Sequence, residues 1–231
     1  MKTSFIDYLL CGTVLGLVFS ATVSFVWFGI APLSLAWCGR YGVIVDVLLG
    51  LLTYGAFSAG AMRLLLAMRP LPTGEFSMNS PAFTYWKLLT IIHMFAHEAL
   101  RPFTNAFTTP FIAQLFGARI GRNVAVGGII QEPFLVTIGD DATLGQDSFV
   151  AGSVIIGGRI TIAPVRIGDG ATVGVNAVVL AGTEIGSQAV LAGGAFVTPG
   201  AKIPSGEIWK GNPARKWNVI GGPRTGGESV P

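Results

Sequence analysis

Two histidines, His93 and His97, are the only ones in the chain, and both lie in the apolar segment IIHMFAHEAL at residues 91–100. Side chains four residues apart share one face of a helix, and Arg101 would continue that face. Because imidazole titrates near neutral pH, it suits a general base, a metal ligand or a hydrogen-bonding group between helices. The spacing leaves three interpretations open: catalysis, metal binding and helix packing.

Metal binding has little support from the neighbouring residues. A zinc protease helix reads His-Glu-x-x-His, but Arg101 stands where the second histidine would follow His97 and Glu98. Membrane desaturases carry many more histidines than two. We therefore predict no metal site.

The composition predicts a membrane protein. Apolar residues make up 51% of the 231 residues and charged residues only 12%, against about 25% charged in ordinary soluble domains. The mean hydropathy is +0.63. The net charge of +3 is dispersed, which excludes a nucleic-acid-binding protein. Cys11 and Cys38 both fall in the first apolar stretch, so no disulfide framework is predicted.

The first 69 residues predict a transmembrane hairpin of two helices. No charged residue occurs from Tyr8 to Gly39, a stretch longer than the roughly 20 residues that one span needs. The stretch is also too long for the apolar part of a secretory signal, and a second one follows at residues 41–62. Asp46 interrupts the second stretch, either near the interface or as a polar group inside the bilayer.

The flanking charges predict the orientation of this hairpin. Lys2 precedes the first stretch, Arg63 and Arg69 follow the second, and Arg40 alone lies in the turn between them. Because basic residues stay on the cytoplasmic side, both termini and the rest of the chain should lie in the cytoplasm. The expected localisation is an integral, multi-pass membrane protein.

Residues 70–117 predict a linker and two interfacial helices. Ser80 followed by Pro81 is a strong helix start, and that helix should run to about Leu100. Thr109-Pro110 begins a second, short helix that ends at Gly117. Both are apolar on nearly all sides, so we expect them to lie against the membrane surface or the hairpin.

A six-residue period follows. Aliphatic side chains, often followed by glycine, recur from Ile120 to Ile203, with Ile156 and Ile162 counted in the same phase. Six residues per face and three faces give about 18 residues per coil, and so about five coils. The inward side chains would stack on those of the next coil. Residues 118–217 therefore predict a parallel β-helix, and 218–231 a flexible tail.

The repeat resembles the hexapeptide-repeat acyltransferase family, whose left-handed β-helices are typically trimers. PVRIGDGATVGVNAVVLAGTEIGSQAVLAGGAFVTPGAKIP and GEIWKGNPARKW carry the resemblance, and Gly211 to Ala214 match a Gly-Asn-Pro-Ala signature that closes the helix. More narrowly, EPFLVTIGDDATLG is similar to the membrane-attached relatives found at the C-terminus of poly-amino-acid synthetases. The resemblance implies a left-handed β-helix acyltransferase domain and a homotrimer.

The implied activity is transfer of an acyl group, expected to be acetyl, from acyl-CoA to a hydroxyl or amine. The acceptor should be near the membrane, such as a lipid-linked sugar, so the expected partners are the bilayer and a small-molecule or lipid-linked acceptor. By the same resemblance the coenzyme should follow a groove near the later coils. Its backbone contacts would come from Gly174, Ala192 and Gly193, and its phosphates would meet Lys210, Arg215 and Lys216. A solvated basic tail is the alternative for these last three.

The general base is the open question. The family carries a histidine within the β-helix, near Ser153 in the narrower relatives, and no histidine follows His97 here. The γ-class carbonic anhydrases bind metal through such coil histidines, so that class is rejected. We predict His97 as the base, with support from His93 and Glu132. Glu132 stands where the period expects an aliphatic residue, and a structural acid that bonds a turn is the alternative interpretation. A catalytically inactive trimeric scaffold at the membrane is the alternative function.

Overall fold

The structure, a computed structural model, describes residues 5–219 and divides them into two compact units. The helical unit comprises residues 5–72, 76–104 and 157–160, and the β-helical unit comprises 73–75, 105–156 and the residues from 161 onward. Lys2 and residues 220–231 of the predicted tail lie outside the described residues. The first two tail residues, Asn218 and Val219, belong to a strand, so the predicted tail boundary was too early.

The helical unit consists of long apolar helices joined by short irregular turns. They are α1 (Phe5–Phe25), a π-helical turn (Val26–Ile30), α2 (Ala31–Cys38), a 3₁₀ turn (Gly39–Tyr41), α3 (Gly42–Met68) and α4 (Pro81–Leu100). A short strand, β1 (Gly74–Ser77), precedes α4. Gly39 ends α2 with φ 54°, a value that favours glycine because it has no Cβ.

Of the described residues, one helical region, Phe5–Met68, is long and apolar enough to cross a membrane, with a mean hydropathy of 2.1. Its segments follow one another almost without interruption, so the predicted hairpin of two separate transmembrane helices is not shown. Within the region α1 and α2 contact α3. Ser34 Oγ donates to Asp46 Oδ1 at 2.5 Å, which gives the carboxylate of α3 a polar partner on α2.

The predicted start of α4 is confirmed. Ser80 caps it by accepting a hydrogen bond from the Phe83 amide at 3.2 Å, and Pro81 is its first residue. The helix ends at Leu100 and a 3₁₀ turn follows at Arg101–Phe103. In the β-helical unit α5 (Thr109–Leu115) also begins as predicted.

The β-helical unit winds through three parallel sheets. The first contains β2 (Arg119–Ile120), β5 (Val136–Ile138), β10 (Val165–Ile167), β13 (Glu184–Ile185) and β16 (Lys202–Ile203). The second contains β3 (Ala125–Val126), β6 (Thr143–Leu144), β11 (Thr172–Val173), β14 (Val190–Leu191) and β17 (Glu207–Lys210), and ends in antiparallel β18 (Arg215–Val219). The third contains β4 (Ile129–Ile130), β7 (Phe149–Val150), β12 (Val178–Val179) and β15 (Phe196–Val197). The prediction of a parallel β-helix of about five coils is confirmed.

The core is a stack of aliphatic side chains in register from coil to coil. Ile120 pairs with Ile138, and Val173 pairs with Leu191. Val173, Val179 and Leu191 are 0% exposed, and each such burial contributes about 1.5–3 kcal/mol. Each coil covers the open end of its neighbour, so no coil has a core of its own.

The six-residue period is interrupted between the second and third coils. Ile167 pairs with Ile138, and the intervening chain leaves the coils as β8 (Ser153–Ile156) and β9 (Arg159–Ile162). Gly157 and Gly158, with φ 57° and 76°, form the turn between them. Ile156 is 65% exposed, so its assignment to the coil core was wrong. An Ile-Gly pair at a hairpin turn imitates the Ile-Gly pair at a coil corner.

Glu132 does not occupy an inward position of the coil either. Ile130 takes that place and pairs with Val150 of the next coil. Ile130 follows Val126 after four residues where the period predicts six, and Ile138 follows Ile130 after eight, so Glu132 lies in the corner after β4.

Candidate functional site

The residues predicted to contact coenzyme A lie along one edge of the β-helix. They follow successive strands of the second sheet or belong to its end. Gly174 follows β11, Ala192 and Gly193 follow β14, Lys210 ends β17, and Arg215 and Lys216 begin β18. We call these six residues the coenzyme edge.

Backbone packing is tight in the middle of the coenzyme edge. A Cβ atom at Gly174 would lie 2.5 Å from the Gly193 nitrogen and 2.6 Å from the Ala192 carbonyl carbon. The Gly174 amide donates to Leu191 O at 2.9 Å and the Ala192 amide to Trp209 O at 2.8 Å. Because these two N–H groups already bond the next coil, Gly174 and Ala192 have no free amide with which to donate a hydrogen bond to a ligand.

Three cations lie at the end of the coenzyme edge on paired strands β17 and β18. Lys210 pairs with Arg215 in the antiparallel register, and all three basic residues are exposed. Lys210 Nζ lies 4.3 Å from the centroid of the Trp217 ring, a cation–π contact. The Arg215 guanidinium donates to the Ala214 carbonyl at 3.1 Å. Sequence reasoning missed Trp217, which is 53% exposed.

Lys216 has a carboxylate partner across the strand pair. Its Nζ donates to Glu207 Oε1 at 2.5 Å, and Trp209 Nε1 donates to Glu207 Oε2 at 2.8 Å. The hydrogen bond from Lys216, and then that from Trp209, holds the pKa of Glu207 below its usual range. Glu207 therefore neutralises part of the positive charge of the edge.

The two histidines lie on α4 of the helical unit, and their environments differ. His93 is 6% exposed, and the His97 side chain is 29% exposed. Their ring centroids are 6.0 Å apart. His97 Nδ1 lies 4.0 Å from Glu98 Oε1, too far for a hydrogen bond, while Glu98 Oε2 bonds Arg101 at 3.3 Å. Of the two imidazoles, that of His97 is the more accessible.

Glu132, in the β-helical unit, is 0% exposed. Its Oε2 accepts a hydrogen bond from the Gly152 amide at 2.9 Å, and its Oε1 accepts one from the Ser153 hydroxyl at 2.6 Å. Sequence reasoning named Ser153 only as a place where a histidine is absent and missed its bond to Glu132. This arrangement matches the structural interpretation of the acid.

Metal-binding groups are not assembled in the described part of the chain. No group of three or more His, Cys, Asp or Glu side chains among residues 5–219 is placed to hold a metal ion.

Comparison with known families agrees with this fold. The family model described as the hexapeptide repeat of succinyl-transferase matches residues 135–163 and 164–199. The matched residues lie within the three parallel sheets and the stacked aliphatic core, so the likeness to hexapeptide-repeat proteins holds for this part of the chain. The match supports the left-handed hand predicted for the β-helix, and the predicted resemblance to the hexapeptide-repeat family is confirmed.

Two curated relatives show how far this likeness extends. The chain is 31% identical to γ carbonic anhydrase 1, mitochondrial, of Arabidopsis thaliana over 130 residues, 48% of this chain and 47% of that protein. It is 27% identical to the delta-poly-L-ornithine synthetase of Acinetobacter baumannii over 101 residues, 43% of this chain and 8% of that protein. The chain thus spans less than half the length of these relatives.

Among solved structures, a maltose O-acetyltransferase from Clostridium difficile 630 is similar with a TM-score of 0.44 and 19% identity, covering 69% of this chain and 96% of that one. A likeness at this level carries no information on activity. No histidine follows His97 in the sequence, so the coils offer no imidazole ligand.

Proposed function

We propose that the protein transfers an acyl group from acyl-CoA, acetyl-CoA in the first instance, to a hydroxyl or amine of a membrane-proximal acceptor. The coenzyme edge carries this proposal, because it joins closely packed backbone to three exposed cations along one line of the fold. Lys and Arg side chains suit the coenzyme's phosphates, and tight glycine and alanine corners let a flexible thioester arm approach the main chain. The match to a succinyl-transferase repeat supports the same chemistry.

The reaction needs a base for the acceptor. The acceptor oxygen or nitrogen forms a bond to the thioester carbonyl carbon, the carbon–sulfur bond breaks, and the acceptor's proton goes to the base and then to the leaving thiolate. We assign this role to His97, because its side chain is partly accessible, whereas that of His93 is buried. His93 would act on His97 through packing, and Glu132 would support the fold of the β-helix.

The membrane part of the proposal concerns Phe5–Met68. We propose that it crosses the bilayer twice, so that the homotrimeric β-helices stand in the cytoplasm beside a lipid-linked acceptor. Contacts of α1 and α2 with α3, and the hydrogen bond of Ser34 to Asp46, support two helical arms packed side by side. A polar pair satisfied between helices is tolerated inside a bilayer.

A scaffold without catalysis is the second candidate. The observation in its favour is the Glu132–Ser153 hydrogen bond. The family's histidine is expected near Ser153, and in this chain a structural hydrogen bond lies there instead. Such a scaffold would use the β-helix for assembly and would bind no acyl-CoA.

Coenzyme binding separates the two candidates. The experiment measures calorimetric binding of coenzyme A and turnover of acetyl-CoA by the full chain in detergent. We expect combined Lys210→Ala, Arg215→Ala and Lys216→Ala changes to weaken binding by about tenfold or more. Lys202→Ala, which removes an exposed cation from the first sheet, should leave binding unchanged.

A second variant tests the base. His97→Ala should lower turnover by about 10²- to 10⁴-fold while coenzyme binding persists. Full turnover in that variant would exclude His97 as the base. Absence of coenzyme binding by the parent chain would exclude acyl transfer and leave the scaffold.

A further inference from the structure

A cavity of about 820 Å³ opens in the β-helical unit beside α5 and the first two coils. Its walls differ in character. Phe107 and Phe111 form an aromatic wall, and a polar wall is formed by four side chains at the corners that follow β2 and β5: Arg122, Asn123, Asp140 and Asp141. The cavity is separate from the coenzyme edge, because its corners join the first sheet to the second.

Both rings of the aromatic wall are accessible to a ligand. Phe107 is 77% exposed and Phe111 is 68% exposed. Ligand pockets are commonly lined by aromatic side chains, whose flat rings can pack against an apolar face of a ligand.

The polar wall is held in a fixed arrangement. Arg122 Nη2 donates to Asp140 Oδ2 at 3.0 Å, the Arg122 amide donates to Oδ1 at 2.8 Å, and Asn123 Nδ2 donates to Asp141 Oδ1 at 3.1 Å. Asn123 and Asp141 both adopt left-handed backbone, with φ 55° and 57°. These bonds and turns orient donors and acceptors before any ligand arrives, which lowers the cost of binding.

We propose that this cavity binds a neutral carbohydrate. The hydroxyls of a sugar both donate and accept, so they can bond carboxylates, an amide and a guanidinium together. The C–H face of a pyranose ring is flat and apolar and can pack on Phe107 and Phe111. Two carboxylates against one guanidinium give the polar wall a net negative charge, which disfavours an acidic sugar. The volume falls within the range of about 300–1,000 Å³ for small-ligand sites.

Insertion of the two phenylalanines into a bilayer is the competing use of this surface. Insertion would carry the Arg122–Asp140 pair and Asp141 toward the apolar part of the bilayer, where the desolvation of charged groups is costly. The aromatic and polar walls face one cavity, and that favours a ligand that satisfies both.

The test uses the full chain in a detergent without a sugar headgroup, with methyl β-D-glucopyranoside as the probe and saturation-transfer NMR as the measurement. We expect transfer to the ring protons, and a reduction of about fivefold or more for Phe111→Ala and for Asp141→Asn. Leu115→Ala, an exposed change on the same helix outside the cavity, should have no effect.

The corresponding methyl β-D-glucuronoside, which differs only in its carboxylate, should bind more weakly than the glucoside. The proposal is overturned if neither probe shows transfer, if Phe111→Ala binds as the parent does, or if the glucuronoside binds better. Quenching of the added fluorescence of Phe111→Trp by brominated phosphatidylcholine in reconstituted vesicles, without any sugar signal, would assign the surface to the membrane instead.

Discussion

The hydroxyl of Ser153 donates a 2.6 Å hydrogen bond to Oε1 of Glu132, which lies in the corner after β4 of the first coil. The Gly152 amide donates to the other carboxylate oxygen at 2.9 Å. Ser153 is the first residue of β8, where the chain leaves the repeat. The buried acid therefore anchors the base of the β8–β9 excursion to the corner of the first coil.

Glu132→Gln should destabilise the β-helix. Each carboxylate oxygen of Glu132 accepts one hydrogen bond, whereas a glutamine amide has a single oxygen and its NH₂ group cannot accept the second one. We expect a loss of about 1–3 kcal/mol in the free energy of unfolding, and about 1 kcal/mol for Ser153→Ala. Denaturant unfolding followed by circular dichroism measures both. The double variant should lose less than the sum of the two single changes. Additive losses would show that the two side chains are not coupled.

Gly174→Ala should destabilise the coil stack, since the new Cβ would lie 2.5 Å from the Gly193 nitrogen, and backbone in a sheet cannot give way. The expected cost is about 1–3 kcal/mol. Gly193→Ala is the matched control on the same edge, because its Cβ would meet Val175 O at 3.4 Å, an ordinary contact. Thermal unfolding of the two variants compares them. Equal melting temperatures would show that the coils can separate at Gly174 without cost.

The β-helix could be predicted because its periodicity is imposed by packing. An inward side chain must stack on its equivalent, so Ile120, Ile138 and Ile167 share a residue type even though their spacing varies. The β8–β9 excursion was missed because Ile156-Gly157 carries the same local pattern as a coil corner. The local signal is the same; only the pairing of Ile167 with Ile138 distinguishes the two.

The candidate site was predictable only in part. Gly174 and Ala192 follow paired strands of successive coils, so the repeat brings them to one edge, whereas the three basic residues come together through the antiparallel pairing of β17 with β18. The bond of Glu132 to Ser153 could not be inferred, because it depends on Ile130 taking the inward position two residues early. Contacts between distant helices carry no periodic signal at all, as Asp7 and Lys87 illustrate.

Asp7 of α1 and Lys87 of α4 form a buried ion pair, with side chains 8% and 6% exposed. Lys87 Nζ also lies 4.7 Å from the centroid of the Phe83 ring. Lys87→Met would leave a buried carboxylate without this partner, and we expect a loss of about 3–5 kcal/mol. Adding Asp7→Leu should restore most of the stability, since apolar replacement of a whole pair is close to neutral.

Thermal unfolding of the chain in micelles measures both variants. A double variant no more stable than Lys87→Met would contradict the pairing.

The Glu207–Lys216 pair predicts a dependence of stability on pH. Its hydrogen bonds, that from Lys216 first, hold the pKa of Glu207 below its ordinary value of 4.5. A carboxylate with a depressed pKa in the folded state stabilises the fold above its unfolded value and loses that contribution as pH falls through the lower folded value. Lys216→Met should therefore lower the melting temperature near neutral pH, and the difference from the parent should shrink as pH falls below about 4.5.

Glu207→Gln isolates this effect, because its amide does not titrate. In that background, Lys216→Met should change the melting temperature by an amount that stays constant from about pH 7 to about pH 3. Tryptophan fluorescence during heating follows the transition, since Trp209 donates to Glu207 within the same strand pair. A difference between parent and Lys216→Met that persists unchanged into acid would mean that Lys216 stabilises β18 through packing of its alkyl chain and not through the carboxylate.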